Sequence, residues 1–314
     1  MSIWRPVIPS GPPQPQQQQR ITIIVFILAT MVAPAAQQWH KDGLEEVKCP
    51  SFLDYVPPCT CEASTDGLDF KCSPADGRRP ANFADVSAIL SAARFLVKTL
   101  SITDLDANAT VLPAKTFANG SVAELSIDGS MLRDLDDHAF EGATLRLQSL
   151  LLKNGRLTTV PRAVAKVASL KRLDLRSNLI AEVLAYTFFG ASKLSYLDLR
   201  DNALTSMAEN AFLGLENNLR DLVLRENNFQ FFPLSAVKIL KKLQSLDLAE
   251  NLINNITSES FIKLDSIKYM DLSSNRFTRI DRNAFASFPR LQKLSLKSNQ
   301  VIKLSIIILF YFIS

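Results

Sequence analysis

The sequence is poor in the residues from which active sites are usually built. Its 314 residues contain only two histidines, His40 and His138, and it has no nucleophile elbow, phosphate-binding loop or metalloprotease motif. His138 follows Asp136-Asp137, a trio that could hold a metal or relay a proton, but a solvated loop is the more ordinary home for such a cluster. No enzymatic activity, metal or cofactor is therefore expected. There is no run of Lys and Arg either. The net charge is +4, and Arg5 and Arg20 supply two of those charges in an N-terminal stretch without acids, which argues against a nucleic-acid partner. The chain lacks any apolar run of the ~20 residues needed to span a bilayer. Cysteine is absent beyond Cys72, so the body of the protein must hold together without covalent staples.

What is present begins with an N-terminal leader. Residues 6–19 are Pro- and Gln-rich and cannot pack a core. After Arg20 an apolar stretch runs from Ile21 to Ala33 and meets Ala33-Pro34-Ala35-Ala36, the pattern of a secretory signal cleaved near Ala35 or Ala36, with an uncleaved N-terminal anchor as the alternative. The four cysteines, Cys49, Cys59, Cys61 and Cys72, follow at once. An even number behind a secretory leader favours two disulfides; zinc is the weaker alternative, because Cys59-Thr60-Cys61 lacks the usual two-residue gap. Asn108, Asn119 and Asn255 each begin an Asn-x-Ser/Thr acceptor for N-linked sugar. The expected division is residues 1–35 as extension and signal, 36–96 as cysteine cap and linker, 97–304 as repeats and 305–314 as an apolar tail.

The repeat is the strongest signal. Leu-x-x-Leu-x-Leu-x-x-Asn-x-Leu recurs every 23 to 25 residues from Leu170, Leu194, Leu219, Leu243, Ile267 and Leu291, and weaker copies start at Val97, Val122 and Leu147. Alternation such as Leu173-Asp174-Leu175 predicts a short strand with leucines on one side and polar groups on the other. The second half of each unit predicts an irregular or short helical return. Neither half can be buried by one unit alone, so nine units must stack into a right-handed solenoid with parallel strands. Phe117, Phe140, Phe188, Phe212, Phe261 and Phe285 recur in the returns and predict a spine of rings stacked from unit to unit. Asn178, Asn202, Asn227, Asn251, Asn275 and Asn299 predict a ladder of amides satisfying the backbone at each bend; Leu105, Ser130 and Gly155 replace asparagine in the early units.

These repeats, from Val97 to Leu304, resemble the extracellular leucine-rich-repeat family, and Cys49-Pro50, Cys59-Thr60-Cys61 and Cys72 resemble its N-terminal cysteine cap. More loosely, the cap followed by degenerate early repeats is similar to secreted arthropod proteins of this type. The resemblance implies an α/β leucine-rich-repeat solenoid, a curved horseshoe with its parallel sheet on the concave face. It also implies Cys49–Cys61 and Cys59–Cys72 disulfides, and a scaffold that binds a protein ligand or receptor outside the cell. The alternatives are a non-catalytic subunit that stabilises a secreted enzyme and an innate-immune pattern binder.

Outward strand positions of the fourth to sixth units are the candidate binding residues: Arg172, Asp174 and Arg176, then Tyr196, Asp198 and Arg200, then Asp221 and Arg225. Stacked units turn them into columns. Arg176, Arg200 and Arg225 form a basic one and Asp174 and Asp198 an acidic one, continued by Asp247 and Asp271, while Tyr196 stands between Arg172 and Asp221. The bland alternative is ordinary solvated repeat filling. A tyrosine framed by charges favours an interface instead. The ninth unit has no return segment, and residues 305–314 do not continue the pattern. The expectation is a truncated or mis-spliced product, with any membrane anchor belonging to a missing C-terminal region.

Overall fold

The computed structural model describes residues 47–50, 59–74, 79–93, 96–118, 120–142, 146–256, 264–280, 285 and 288–301. The leader, Asn119, Phe261 and the apolar tail lie outside the described residues. Those described belong to one compact unit, Val47–Ser314.

The unit opens with an antiparallel hairpin, β1 (Cys59–Ser64) and β2 (Gly67–Cys72). Nine strands follow β2 in parallel, one per sequence repeat: β3 (Val97–Thr103), β5 (Val122–Asp128), β7 (Ser149–Lys153), β8 (Arg172–Asp174), β10 (Tyr196–Asp198), β12 (Asp221–Val223), β13 (Ser245–Asp247), β15 (Tyr269–Asp271) and β17 (Lys293–Ser295). The result is an eleven-stranded sheet forming the inner face of a leucine-rich-repeat solenoid. Cys49–Cys61 and Cys59–Cys72 are both bonded, as the cap resemblance implied. Before β3 the chain forms α1 (Phe83–Ala92), whose start Asn82 and Asp85 cap reciprocally, side chain to backbone. Arg79 grips the Asp85 carboxylate through both terminal nitrogens at 2.7 and 2.6 Å. Partial burial pushes that carboxyl up, but Arg79 and the Asn82 N–H outweigh it and hold it below the usual range.

The repeat leucines form the core. Leu170, Leu173, Leu175, Leu194, Leu197 and Leu199 are fully buried, each worth roughly 1.5–3 kcal/mol relative to exposure. After each strand the chain turns through one residue in the left-handed region, as at Ser177, Asp201, Glu226, Glu250, Ser274 and Ser298, with φ of 52–56°. Each such residue costs about 1–2 kcal/mol. The asparagine that follows then closes the bend. Asn227 Nδ2 donates to the carbonyls of Leu199, Leu224 and Arg225 at 3.0–3.1 Å, and its Oδ1 accepts from Leu204 N–H at 3.0 Å. Asn178, Asn202, Asn251, Asn275 and Asn299 repeat the pattern.

The returns depart from the expected continuous phenylalanine spine. Phe117 stacks on Phe140 at 5.5 Å and Phe188 on Phe212 at 5.9 Å, but Val164 and Val237 occupy the same position in the third and sixth units, and Phe285 also meets Phe288, tilted by 35°. Helix is also scarcer among the described residues than a helical return would give. Most returns carry a two-residue strand, and these pair in parallel: β4 (Val111–Leu112) with β6 (Asp134–Leu135), β9 (Glu182–Val183) with β11 (Ser206–Met207), and β14 (Asn255–Ile256) with β16 (Arg279–Ile280). The third and sixth units instead form a 3-10 turn (Arg162–Lys166) and the short helix α2 (Leu234–Val237).

Proline accounts for the break before each of these two units but not for the break after it, since Pro113 follows β4 in the same register and β4 still pairs with β6. In the paired units the residue just after the second outer strand donates back across the ladder, Asp136 N–H to Leu112 O at 2.9 Å and Ala208 N–H to Val183 O at 3.0 Å. By repeat register Pro161 and Pro233 hold that position in the third and sixth units. Proline has no N–H to donate, and its fixed φ suits the first turn of a helix.

Candidate functional site

Parallel register builds the columns expected from the sequence. Arg172, Tyr196 and Asp221 are lateral neighbours across β8, β10 and β12, and Asp174 pairs with Asp198. Val223 follows Asp198 in that row, so the acidic column is interrupted before Asp247 and Asp271 resume it.

The columns are not equally available to a partner. Asp174 is 0% exposed and Asp198 only 3%, although both stand on the inner face. Each carboxylate turns back onto its own strand: Asp174 Oδ1 accepts from Arg176 N–H at 3.2 Å and Asp198 Oδ1 from Arg200 N–H at 3.0 Å. Arginines and Tyr196 cover them. The Arg176 and Arg172 guanidinium groups stand 3.4 and 3.8 Å from Asp174 Oδ2, which has no hydrogen bond. Burial is the main reason that the Asp174 carboxyl is pushed up; the neighbouring Asp198 adds to this, and Arg176 and Arg172 oppose it. These two aspartates therefore support the face from beneath.

Above them lies a braced aromatic. The Arg172 guanidinium carbon sits 3.9 Å from the centroid of the Tyr196 ring, within cation–π range. The Tyr196 hydroxyl donates to Asp198 Oδ2 at 3.1 Å. Burial and the Asp198 carboxylate raise the phenol pKa, keeping the hydroxyl protonated as a donor. The ring is half-buried. Along the basic column, Arg176 faces Asp174, and Arg225 is held by Glu226 and Glu250. Arg200, between them, makes no ion pair among the described residues. Asp221 is half-buried, and burial raises its carboxyl against the pull of Arg220.

Further along the same face, a hollow of about 280 Å³ lies over β13, β15 and β17, lined by Asp247, Tyr269, Asp271 and Lys293 among others. Burial, aided by Asp271, raises the Asp247 carboxyl. The repeat pattern places the two aspartates in a column, as expected. Tyr269 was missed, although it repeats the strand position of Tyr196 three units later and was legible on that ground.

The remaining candidates lie elsewhere. Asn108 and Asn255 are exposed and sit in the returns, Asn255 within β14, so neither is on the eleven-stranded sheet. His138 is exposed beside Asp136, with 3.5 Å between Nδ1 and Oδ1. No group of three or more metal-ligating side chains occurs among the described residues.

Solved structures share the fold. A TLR13–ssRNA13 complex matches with a TM-score of 0.64 at 23% identity, over 72% of this chain and 32% of that one. A chain of the octameric complex of Latrophilin 3, Unc5D and FLRT2 matches with a TM-score of 0.53 at 20% identity, over 70% and 73%. By sequence, the chain is 33% identical over 148 residues to leucine-rich repeats and immunoglobulin-like domains protein 3 of Homo sapiens, covering 47% of this chain and 13% of that protein. It is 28% identical over 180 residues to transforming growth factor beta activator LRRC32 of Mus musculus, covering 55% and 26%. Toll-like receptor 9 of Bos taurus is 36% identical over 107 residues, covering 32% and 10%. The chain thus spans about a quarter or less of the length of these relatives. The leucine-rich-repeat model matches residues 120–180, 168–229, 217–277 and 241–301, more than half of the sequence, and with the asparagine ladder and parallel inner sheet in place the chain belongs to the leucine-rich-repeat family.

Proposed function

We propose that the chain is an extracellular scaffold that binds a protein ligand or receptor through the inner sheet of its fourth to sixth units. The observation that carries this is the braced Tyr196: its ring is fixed by Arg172 on one face and by Asp198 at the hydroxyl before any partner arrives. A fixed aromatic offers contact area without losing rotamer freedom on binding, at a saving of about 0.5–1.5 kcal/mol for each side chain so held. The unpaired Arg200 beside it supplies a directional charge. Supporting the extracellular setting are the two disulfides, which persist in oxidising compartments, and relatives whose names describe a receptor and an activator. Sugars on Asn108 and Asn255 would decorate the returns and leave the sheet open.

The test is affinity capture from the native extracellular medium followed by hydrogen-exchange footprinting of the captured complex. The unsubstituted chain should show protection on β8, β10 and β12. The Tyr196→Ala, Arg200→Glu variant should lose both capture and protection while still unfolding in one cooperative transition, its melt lowered by the loss of the Tyr196 bond to Asp198. Undiminished capture, or protection confined to the returns, refutes the reading.

A further inference from the structure

The missing outer strand of the third unit leaves a notch in the return side of the solenoid. By repeat register Thr159 and Val160 hold the place of Asp134–Leu135 in β6 and Glu182–Val183 in β9, but they form no strand, and Pro161 lacks the N–H that would bond back to β6. The notch encloses about 570 Å³. Val160 and Pro161 are buried at its base. Asp134 and Asp137 line one wall; Glu182, Leu184 and Tyr186 line the other, and Arg162 stands in the third unit between them.

Its chemistry is lopsided. Asp137 reaches Lys166 at 3.9 Å, but Asp134 and Glu182 make no ion pair among the described residues, although they face the same space. They occupy equivalent positions two strands apart, a separation of about 9–10 Å. Leu184 and Tyr186 are 51% and 56% exposed, in a unit that also exposes Leu179 and Phe189, and they present apolar surface to the notch. Two unneutralised carboxylates over an apolar base, with an open aromatic ring alongside, make a receptacle for a long side chain that is apolar along its stem and cationic at its tip. A guanidinium offers five donors in a planar fork, able to serve both carboxylates and to stack on a tyrosine ring.

We infer that this notch receives a basic side chain, arginine in preference to lysine, from an extracellular polypeptide. It is separate from the inner sheet and does not depend on the proposed role of that face. Arg162 is the internal competitor: its charge lowers the attraction of the notch for a second cation, so its removal should strengthen binding rather than weaken it.

The experiment titrates the full chain with the peptide acetyl-Gly-Arg-Gly-amide and with its neutral counterpart carrying citrulline, read by saturation-transfer NMR. The arginine peptide should bind, with its side-chain methylenes most strongly saturated, and the citrulline peptide should bind at least about tenfold more weakly. Asp134→Asn and Glu182→Gln should each weaken binding about 3–10-fold, and Arg162→Gln should strengthen it about threefold. Tyr186→Ala should weaken it about threefold or more. Asp201→Asn, an exposed carboxylate elsewhere in a left-handed bend that asparagine tolerates, should change nothing. Melts of all five variants check that the fold is intact. Equal binding of the two peptides, equal loss with Asp201→Asn, or no gain with Arg162→Gln overturns the inference.

Discussion

Replacing Asn227 by Leu tests the amide ladder at a buried rung. The two side chains are similar in size, so the change removes polar atoms without opening a large cavity. Three carbonyls lose a donor, but none is orphaned. Leu199 O keeps Asn202 Nδ2 at 3.1 Å, Leu224 O keeps Asn251 Nδ2 at 3.0 Å, and Arg225 O keeps Asp201 N–H at 3.0 Å. Leu204 N–H is different: Asn227 Oδ1 is its acceptor, and the bond is buried. One orphaned buried N–H costs about 1–3 kcal/mol, and three weakened shared bonds add to it, so a loss of about 2–3 kcal/mol is expected. The same substitution at Asn299 orphans Phe277 N–H at 3.2 Å, where the rung is only partly buried and water can substitute, so about 1 kcal/mol or less is expected there. Urea unfolding of the full chain, followed by far-UV circular dichroism, measures both. A cost below about 0.5 kcal/mol at Asn227, or equal costs at the two positions with unchanged slopes, would refute this pairing of donors with acceptors as the source of the ladder's stability.

Three further outcomes are expected. Gly155→Ala places a Cβ 2.7 Å from Asn178 Oδ1, displacing the first rung of the ladder, and should lower stability by about 1–3 kcal/mol in the same urea assay. Asp174→Asn keeps the Oδ1 acceptor for Arg176 N–H but removes a charge whose pKa burial raises; because the folded state binds that proton more readily than the unfolded chain, stability should fall as pH rises from the ordinary aspartate range through the elevated value. Thermal melts across pH should show the variant more stable at neutral pH and its curve flatter over that interval; a slope equal to the parent's refutes the assignment. Converting Cys59 and Cys72 together to Ser opens a disulfide of sequence separation 13 and should cost the cap about 3 kcal/mol, read as faster proteolysis within β1 and β2 with the later repeats still protected.

The fold was legible because its two periodicities are written in different residues. Leucine alternation gave the strands, and β10 and β12 begin where Leu194 and Leu219 mark them, two residues on. Asparagine marked the bends of the fourth to ninth units because its side chain both donates and accepts, serving the turn on its two sides; the first three units make the same left-handed bend with Leu105, Ser130 and Gly155 in its place. The columns of the inner face were also legible, since parallel register follows from the repeat itself. Which members of a column remain exposed was not: Asp174 is covered because Arg172 and Arg176 fold over it, a matter of side-chain conformation that spacing does not encode. The outer ladder was missed for another reason. Val160-Pro161 and Phe232-Pro233 look like ordinary turn dipeptides until it is known that the N–H at that position closes a bond to the preceding unit. The capping pair Asn82 and Asp85 was present in the sequence but hidden in a stretch read only as linker.

Considered as an elastic beam, the solenoid has a continuous inner flange and an outer flange cut into short lengths. The inner sheet runs unbroken through all nine repeats, while the outer strands are bonded only as β4 with β6, β9 with β11 and β14 with β16 among the described residues. Bending that widens the outer side meets hydrogen-bonded resistance within each pair and little at Pro161 and Pro233. Changes in curvature therefore concentrate at two joints, in the third and sixth units. Tyr196 and the free Arg200 lie on the rigid block between them, so the horseshoe can adjust its span while the braced ring keeps its orientation.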